Sequence, residues 1–161
     1  MKDHNLVDIR NIALVGHAGS GKTTLAEALL KLSGTINEAG TIEAGTTVSD
    51  HDPHERELGH SLDVSLLHFQ TDGRLVHLLD TPGFPDLAGR AISVLPAVET
   101  AAIVVDAHHG IEPVTERMMK SAGEGKLDRL IIINHIDSSK ADPEALLLEI
   151  QERFGQECLP L

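Results

Sequence analysis

Gly16-His17-Ala18-Gly19-Ser20-Gly21-Lys22-Thr23 sets two glycines, a lysine and a hydroxyl at the spacing G-x-x-x-x-G-K-[ST]. Those residue types suit phosphate. Glycines let backbone N–H groups turn inward around a β-phosphate, and the helix that follows adds the positive end of its dipole. Lys22 is expected to reach the β- and γ-phosphate oxygens, and the Thr23 hydroxyl to ligate Mg²⁺. Thr24, next in the helix, is counted with the nucleotide-binding residues. Four fixed positions arise by chance in roughly one chain in a hundred, judged from average residue usage. The strand before the motif and the helix after it are the context a P-loop requires.

Two further segments extend the chemistry. Leu78-Leu79-Asp80-Thr81-Pro82-Gly83 puts a carboxylate at the carboxyl end of an apolar run, where it faces a ligand crevice. Asp80 is expected to hold Mg²⁺ through a water, and the Gly83 N–H to touch a γ-phosphate. Asn134-His135-Ile136-Asp137 also follows an apolar run. A carboxylate at Asp137 accepts two hydrogen bonds, which matches the adjacent N1–H and N2–H₂ of guanine and nothing on adenine. A site built around such a pair rejects the analogue that lacks it. Asn134 is expected to tie this loop to the P-loop.

The elements that must position these residues alternate along the chain. Strands are expected over Val7–Val15, Leu62–Phe69, Leu75–Leu79, Ala101–Val105 and Leu130–Ile133, with a hairpin turn at Asp72-Gly73. Helices are expected over Thr23–Leu32, Leu87–Val98, Glu112–Glu124 and Pro143–Phe154. Residues Gly34 to His60 show no periodicity, and so long a run inside a compact domain is usually functional. The alternation predicts an α/β fold: a mostly parallel five-stranded sheet with one antiparallel hairpin strand and helices on both faces.

The chain has 161 residues, 13 Lys and Arg against 25 Asp and Glu, and a formal charge of −12. That length suggests one domain. The acidic balance argues against strong binding of free nucleic acid through a basic face. The single cysteine, Cys158, excludes an internal disulfide and reads as inert. No apolar run approaches the roughly 18–20 residues of a membrane span. Met118 and Met119 read as core or partner-facing. His51, His54 and His60 lie among acids and could hold Zn²⁺, but their spacing fits no closed ligand set, and a solvated polar loop is the plainer reading. His108 and His109 read as surface residues in a loop. His17 lies in the P-loop at a freely varying position.

The three motifs in this order resemble the GTPase domain of translational GTPases, within them elongation factor G and the divergent elongation factor G-like proteins. The stretch Ser49-Asp50-His51-Asp52-Pro53-His54-Glu55-Arg56-Glu57-Leu58-Gly59-His60-Ser61-Leu62 resembles the family's first switch, and Val104-Val105-Asp106-Ala107-His108-His109-Gly110-Ile111-Glu112-Pro113 its fourth-strand segment. The resemblance covers nearly the whole chain. It implies a P-loop NTPase G domain over 1–161, a first switch over 34–61 and a second over 80–92. It also implies GTP or GDP as ligand, Mg²⁺, action on the ribosome and a cytoplasmic setting. Lys22, Ser61 and Gly83 would act in hydrolysis, with Thr23, Ser61 and Asp80 around the metal.

Four departures from the family pattern carry consequences. Ser61 stands for a metal-ligating Thr and keeps the hydroxyl. Phe84 stands for the His that places the attacking water, and a phenyl ring cannot bond a water; a slow or partner-dependent reaction is implied. His135 stands for the Lys of Asn-Lys-x-Asp, and an imidazole can stack where the lysine stem would lie. Finally, Leu161 precedes the family's Ser-Ala loop, its sixth strand and its later domains. The chain therefore reads as a C-terminally incomplete G domain, whose strand 130–134 forms an apolar edge that a partner or a missing segment would cover. The other functions weighed are a non-hydrolysing GTP/GDP switch, which Phe84 favours; an inactive fragment; and an ATP-using enzyme, disfavoured by Asn134 and Asp137.

Overall fold

A computed structural model describes residues 5–49, 55, 60–139 and 141–161. The continuous apolar runs form its centre. Strands β1 (Ile9–Val15), β3 (Arg74–Asp80), β4 (Thr100–Asp106) and β5 (Asp128–Asn134) run parallel, and β2 (Ser65–Thr71) pairs antiparallel with β3. The order across the sheet is β2-β3-β1-β4-β5. Asp72 and Gly73 both take positive φ, 48° and 77°, as a two-residue hairpin loop demands.

Both faces of the central strands are covered, which explains the unbroken β-branched run of β4. On one face Leu14, Leu78, Ala102 and Val104 pack with Ala26 and Leu30 of α1 (Lys22–Leu32). On the other, Ala13, Val15, Ala101, Ile103 and Val105 meet three helices: α2 (Ala88–Val94), α3 (Pro113–Glu124) and α4 (Pro143–Phe154). Met118 and Met119 lie in that core at 0% and 5% exposure. Full burial of a side chain such as Ile103 contributes roughly 1.5–3 kcal/mol. Pro113 and Pro143 open their helices where an N–H would have no partner, and the Asp142 side chain caps α4 by accepting from Ala145 N at 3.0 Å.

Of the boundaries that differ from the expected ones, three have a visible cause. β1 begins at Ile9, because Leu6–Asp8 form a 3-10 turn whose Leu6 and Val7 are exposed. β2 begins at Ser65, because the Leu62 and Asp63 N–H groups donate to Glu55 Oε1 at 2.7 and 3.1 Å instead of to a strand. The expected helix over Leu87–Val98 is three pieces, a 3-10 turn at Pro85–Leu87, α2, and a second 3-10 turn at Leu95–Ala97. Pro96 has no N–H to extend an α-helical ladder, so the last turn tightens. The carboxyl ends of the four parallel strands share one side of the sheet, and the candidate residues follow from them except Ser61, which lies ahead of the antiparallel strand β2.

Candidate functional site

The P-loop leaves Val15 with three glycines in the left-handed region: Gly16, Gly19 and Gly21, at φ 140°, 79° and 86°. Two of them are also packed shut. A Cβ at Gly16 would collide with the Val104 carbonyl, and one at Gly21 with the Asn134 side-chain amide. The loop therefore requires glycine at these places for space as well as for torsion. Its lysine is drawn inward. Lys22 Nζ donates to His17 O at 2.7 Å, and burial pushes the amine down to about 8 while the Asp80 carboxylate acts the other way.

The three residues assigned to a metal come together. The Thr23 hydroxyl donates to Asp80 Oδ2 at 2.7 Å, and Ser61 Oγ lies 3.5 Å from Thr23 Oγ1. These are hard oxygen donors of the kind Mg²⁺ takes, a carboxylate and two hydroxyls beside a phosphate-binding loop, so the set fits that ion. Gly83 closes over the same loop. A Cβ there would lie 2.5 Å from Lys22 Nζ and 2.6 Å from Ala18 N. Thr81, between Asp80 and the turn, is buried and donates to Leu14 O at 2.7 Å, tying the segment to β1.

The loop after β5 is clipped onto the P-loop. Asn134 Nδ2 donates to Ser20 O at 2.9 Å. His135 sits at φ 57° with its ring bonded to Asp106 Oδ2 at 2.6 Å, and its Nε2 would be 3.0 Å from a Cβ on Gly21. Asp106 also accepts from the His108 and His109 amides at 2.7 and 3.0 Å. Burial alone would raise the Asp106 carboxyl; the bond from His135 and the two amides outweigh it and hold the group well below the usual carboxylate range.

A cavity of about 390 Å³ lies among these groups, lined by Ala18, Gly19, Gly21, Lys22, Thr23, Thr24, Ile42, Glu43, His60, Ser61, Thr81 to Phe84, and His135. Gly16, His17, Ser20, Asp80, Asn134 and Asp137 are not in its lining. Gly16 and Ser20 shape the loop from beneath, and Asp80 stands behind Thr23. His17 turns its ring away, 2% exposed, to Thr115 of α3 at 3.3 Å and Glu112 at 3.8 Å; burial lowers its pKa, opposed by Glu112. Asp137 is exposed beside the loop. Residues 50–54 and 56–59, within the segment that the resemblance marks as a first switch, lie outside the described residues, His51 and His54 among them.

Four residues make contacts that sequence reasoning did not foresee. Glu27 of α1 is 1% exposed and accepts from Gly40 N at 2.7 Å and Val48 N at 2.5 Å. Glu55 is 5% exposed and caps the chain before β2. Asp106 carried the same signal as Asp80, a carboxylate ending a buried strand. His60 carried none: its ring packs on Phe84 with centroids 4.3 Å apart, a contact between separate segments.

A mostly parallel sheet with a Gly-rich loop between β1 and α1, a carboxylate ending β3 and an Asn-x-x-Asp loop after β5 defines a P-loop nucleotide-binding domain of the GTPase type. The family model described as "Elongation factor Tu GTP binding domain" matches residues 7–159, and the chain belongs to that family. It is 34% identical over 154 residues to elongation factor G 2 of Streptomyces coelicolor, covering 96% of this chain and 22% of that protein. It is 35% identical over 156 residues to peptide chain release factor 3 of Lactococcus lactis subsp. cremoris, covering 94% and 30%. A crystal structure of a Thermus thermophilus protein superposes with a TM-score of 0.87 at 37% identity, covering 91% of this chain and 22% of that one. A bacterial selenocysteine-specific elongation factor shares the fold, with a TM-score of 0.66. The chain spans less than a third of the length of these relatives.

Proposed function

We propose that the chain binds GTP and GDP with Mg²⁺ and hydrolyses GTP, as the G domain of an elongation factor G-like translation factor. The observation that carries this reading is the convergence of Thr23, Asp80 and Ser61 beside Lys22, with Asn134 fastening the base-side loop to the same P-loop. The P-loop amides and Lys22 would hold the β- and γ-phosphates and stabilise charge on the transferring phosphoryl group. Thr23 and Ser61 would supply hydroxyl ligands, and Asp80 would act through a water. With Mg²⁺ held by these residues, the charge of the β- and γ-phosphates would be partly neutralised. The Gly83 N–H would report the γ-phosphate to the segment over 80–92, and Asp137 would select guanine. The names of the relatives belong to translation, so the ribosome is the partner this reading implies, in the cytoplasm.

A second reading rests on Phe84. If the phenyl ring leaves no group to place water, the domain binds GTP and GDP as a switch without turning over. A titration with fluorescent GDP and a GTP analogue plus Mg²⁺, competed by ATP, tests the site on wild type and Asp137→Asn. Saturable binding that GDP displaces, ATP does not, and Asp137→Asn loses is the expected result. Equal displacement by ATP would overturn the guanine assignment. Single-turnover hydrolysis then separates the two readings.

A further inference from the structure

We propose that His60, seated on Phe84, is the residue that places the attacking water in GTP hydrolysis; this rests on the hydrolytic reading above. The His60 and Phe84 rings pack with centroids 4.3 Å apart and planes tilted by 46°. Both line the cavity that Lys22, Ser61 and Gly83 also line. Phe84 follows Gly83, the residue closed over the P-loop, and His60 precedes Ser61, whose hydroxyl reaches Thr23. The stack therefore joins the first switch to the second directly beside the oxygen cluster. Phe84 cannot bond a water itself, but it gives the imidazole a flat surface to rest on.

The chemistry of the ring suits the task. His60 Nδ1 lies 3.4 Å from Ser61 O, a long contact that a ring N–H would make as donor. That tautomer leaves a lone pair on Nε2, able to accept a hydrogen bond from water. The water oxygen bonds to the γ-phosphorus, the bond to the β–γ bridging oxygen breaks, and its electron pair leaves with GDP. The water proton ends on the released phosphate, passed directly or through Nε2. His135, the other histidine of the lining, has Nδ1 engaged by Asp106 on the base side. Glu43, the lining carboxylate, is exposed on a turn.

Single-turnover hydrolysis of γ-labelled GTP with excess chain and Mg²⁺ tests the assignment, with fluorescent GTP-analogue affinity measured alongside. His60→Ala is expected to slow hydrolysis by on the order of 10²-fold, as loss of a positioned acid–base group does, while affinity stays within about threefold. Phe84→Ala should slow it because the support is gone, and Phe84→Tyr, which keeps the stack, should restore the rate. The double variant His60→Ala/Phe84→His should recover hydrolysis by moving the imidazole across the stack. An unchanged rate in His60→Ala would overturn the proposal, as would loss in Glu43→Gln without loss in His60→Ala. Wild type that binds nucleotide yet hydrolyses no faster than Lys22→Ala would overturn the hydrolytic reading itself, and the role of His60 with it.

Discussion

The Thr23 hydroxyl donates to Asp80 Oδ2 at 2.7 Å across 57 positions of sequence, joining the first turn of α1 to the end of β3. A hydrogen bond to a carboxylate is about twice as strong as a neutral one, and here both partners are buried. The pair therefore presets two oxygens for a cation. Wild type should release fluorescent GDP at least about tenfold faster after EDTA, a difference of about 1.4 kcal/mol. Asp80→Ala should release it quickly with or without EDTA. Release that ignores EDTA in wild type would remove Mg²⁺ from the site.

Gly83 leaves no room for a side chain. A methyl group there would press on Lys22 Nζ and Ala18 N at 2.5 and 2.6 Å, and neither the backbone nor the buried amine can move far. Gly83→Ala should push the segment over 80–92 off the P-loop. Affinity for a GTP analogue is expected to fall about tenfold or more, with GDP affinity changed by less than about threefold, the outcome required if Gly83 meets the γ-phosphate as proposed. Calorimetric titration with both nucleotides reads the difference, and equal losses would contradict it.

Glu27 is a buried carboxylate with two backbone amides, and those amides are what hold residues 40 to 48 near α1. Glu27→Ala should leave both N–H groups without their acceptor and cost about 1–3 kcal/mol of stability. Urea unfolding measures the loss. Limited proteolysis should show faster cleavage between residues 34 and 49, and unchanged cleavage there would mean that other contacts fix the segment.

That same glutamate shows why part of the domain was legible in the sequence and part was not. Strands β1, β4 and β5 were read from unbroken apolar runs, the β2–β3 hairpin from its Asp72-Gly73 turn, and Gly16 to Thr23 from fixed spacing, because these signals are local. Asn134 could be placed against the P-loop because motif order implied the fold. Residues 33 to 49 form neither helix nor strand and are held by scattered contacts, Glu27 to the Gly40 and Val48 amides, Ser65 to the Ser49 carbonyl and Ile36 against the core, which leave no period to read. Glu55, in an acidic run, looks like a solvated residue and is instead buried. Pro96 divided a helix whose apolar pattern read as continuous. His60 and Phe84 meet only through the tertiary fold, so neither residue signalled the other.

β5 ends the sheet, as expected of the apolar strand over 130–134. Leu130 is 39% exposed, and a groove of about 810 Å³ runs along the strand, lined by Ile131, Ile133, Leu147, Phe154 and Leu159. Arg129, Glu144 and Glu157 line the same groove and blunt part of this edge, which leaves the apolar stretch at Leu130 as the place where another chain could pair. Leu130→Lys should reduce concentration-dependent light scattering and change the unfolding free energy by less than about 0.5 kcal/mol, as surface substitutions usually do. Scattering that persists in Leu130→Lys would point to another surface.

Asp106 binds the loop after β5 through His135 and the loop after β4 through the His108 and His109 amides. Burial opposes its charge, and these three bonds more than offset that, so its folded pKa lies below the ordinary 3.8. The sign follows from that depression. The contribution is fully present above about pH 4, where the unfolded carboxyl is also ionised, and is lost as pH falls through the folded value. At neutral pH, Asp106→Asn keeps the shape but loses the charge, and should cost about 1–3 kcal/mol. The gap between wild type and Asp106→Asn should narrow as pH falls below about 4. Denaturant melts of both proteins from pH 7 to pH 3 measure it. A gap constant across that range would show that the carboxylate's charge contributes nothing, and that the His135 bond is held by geometry alone.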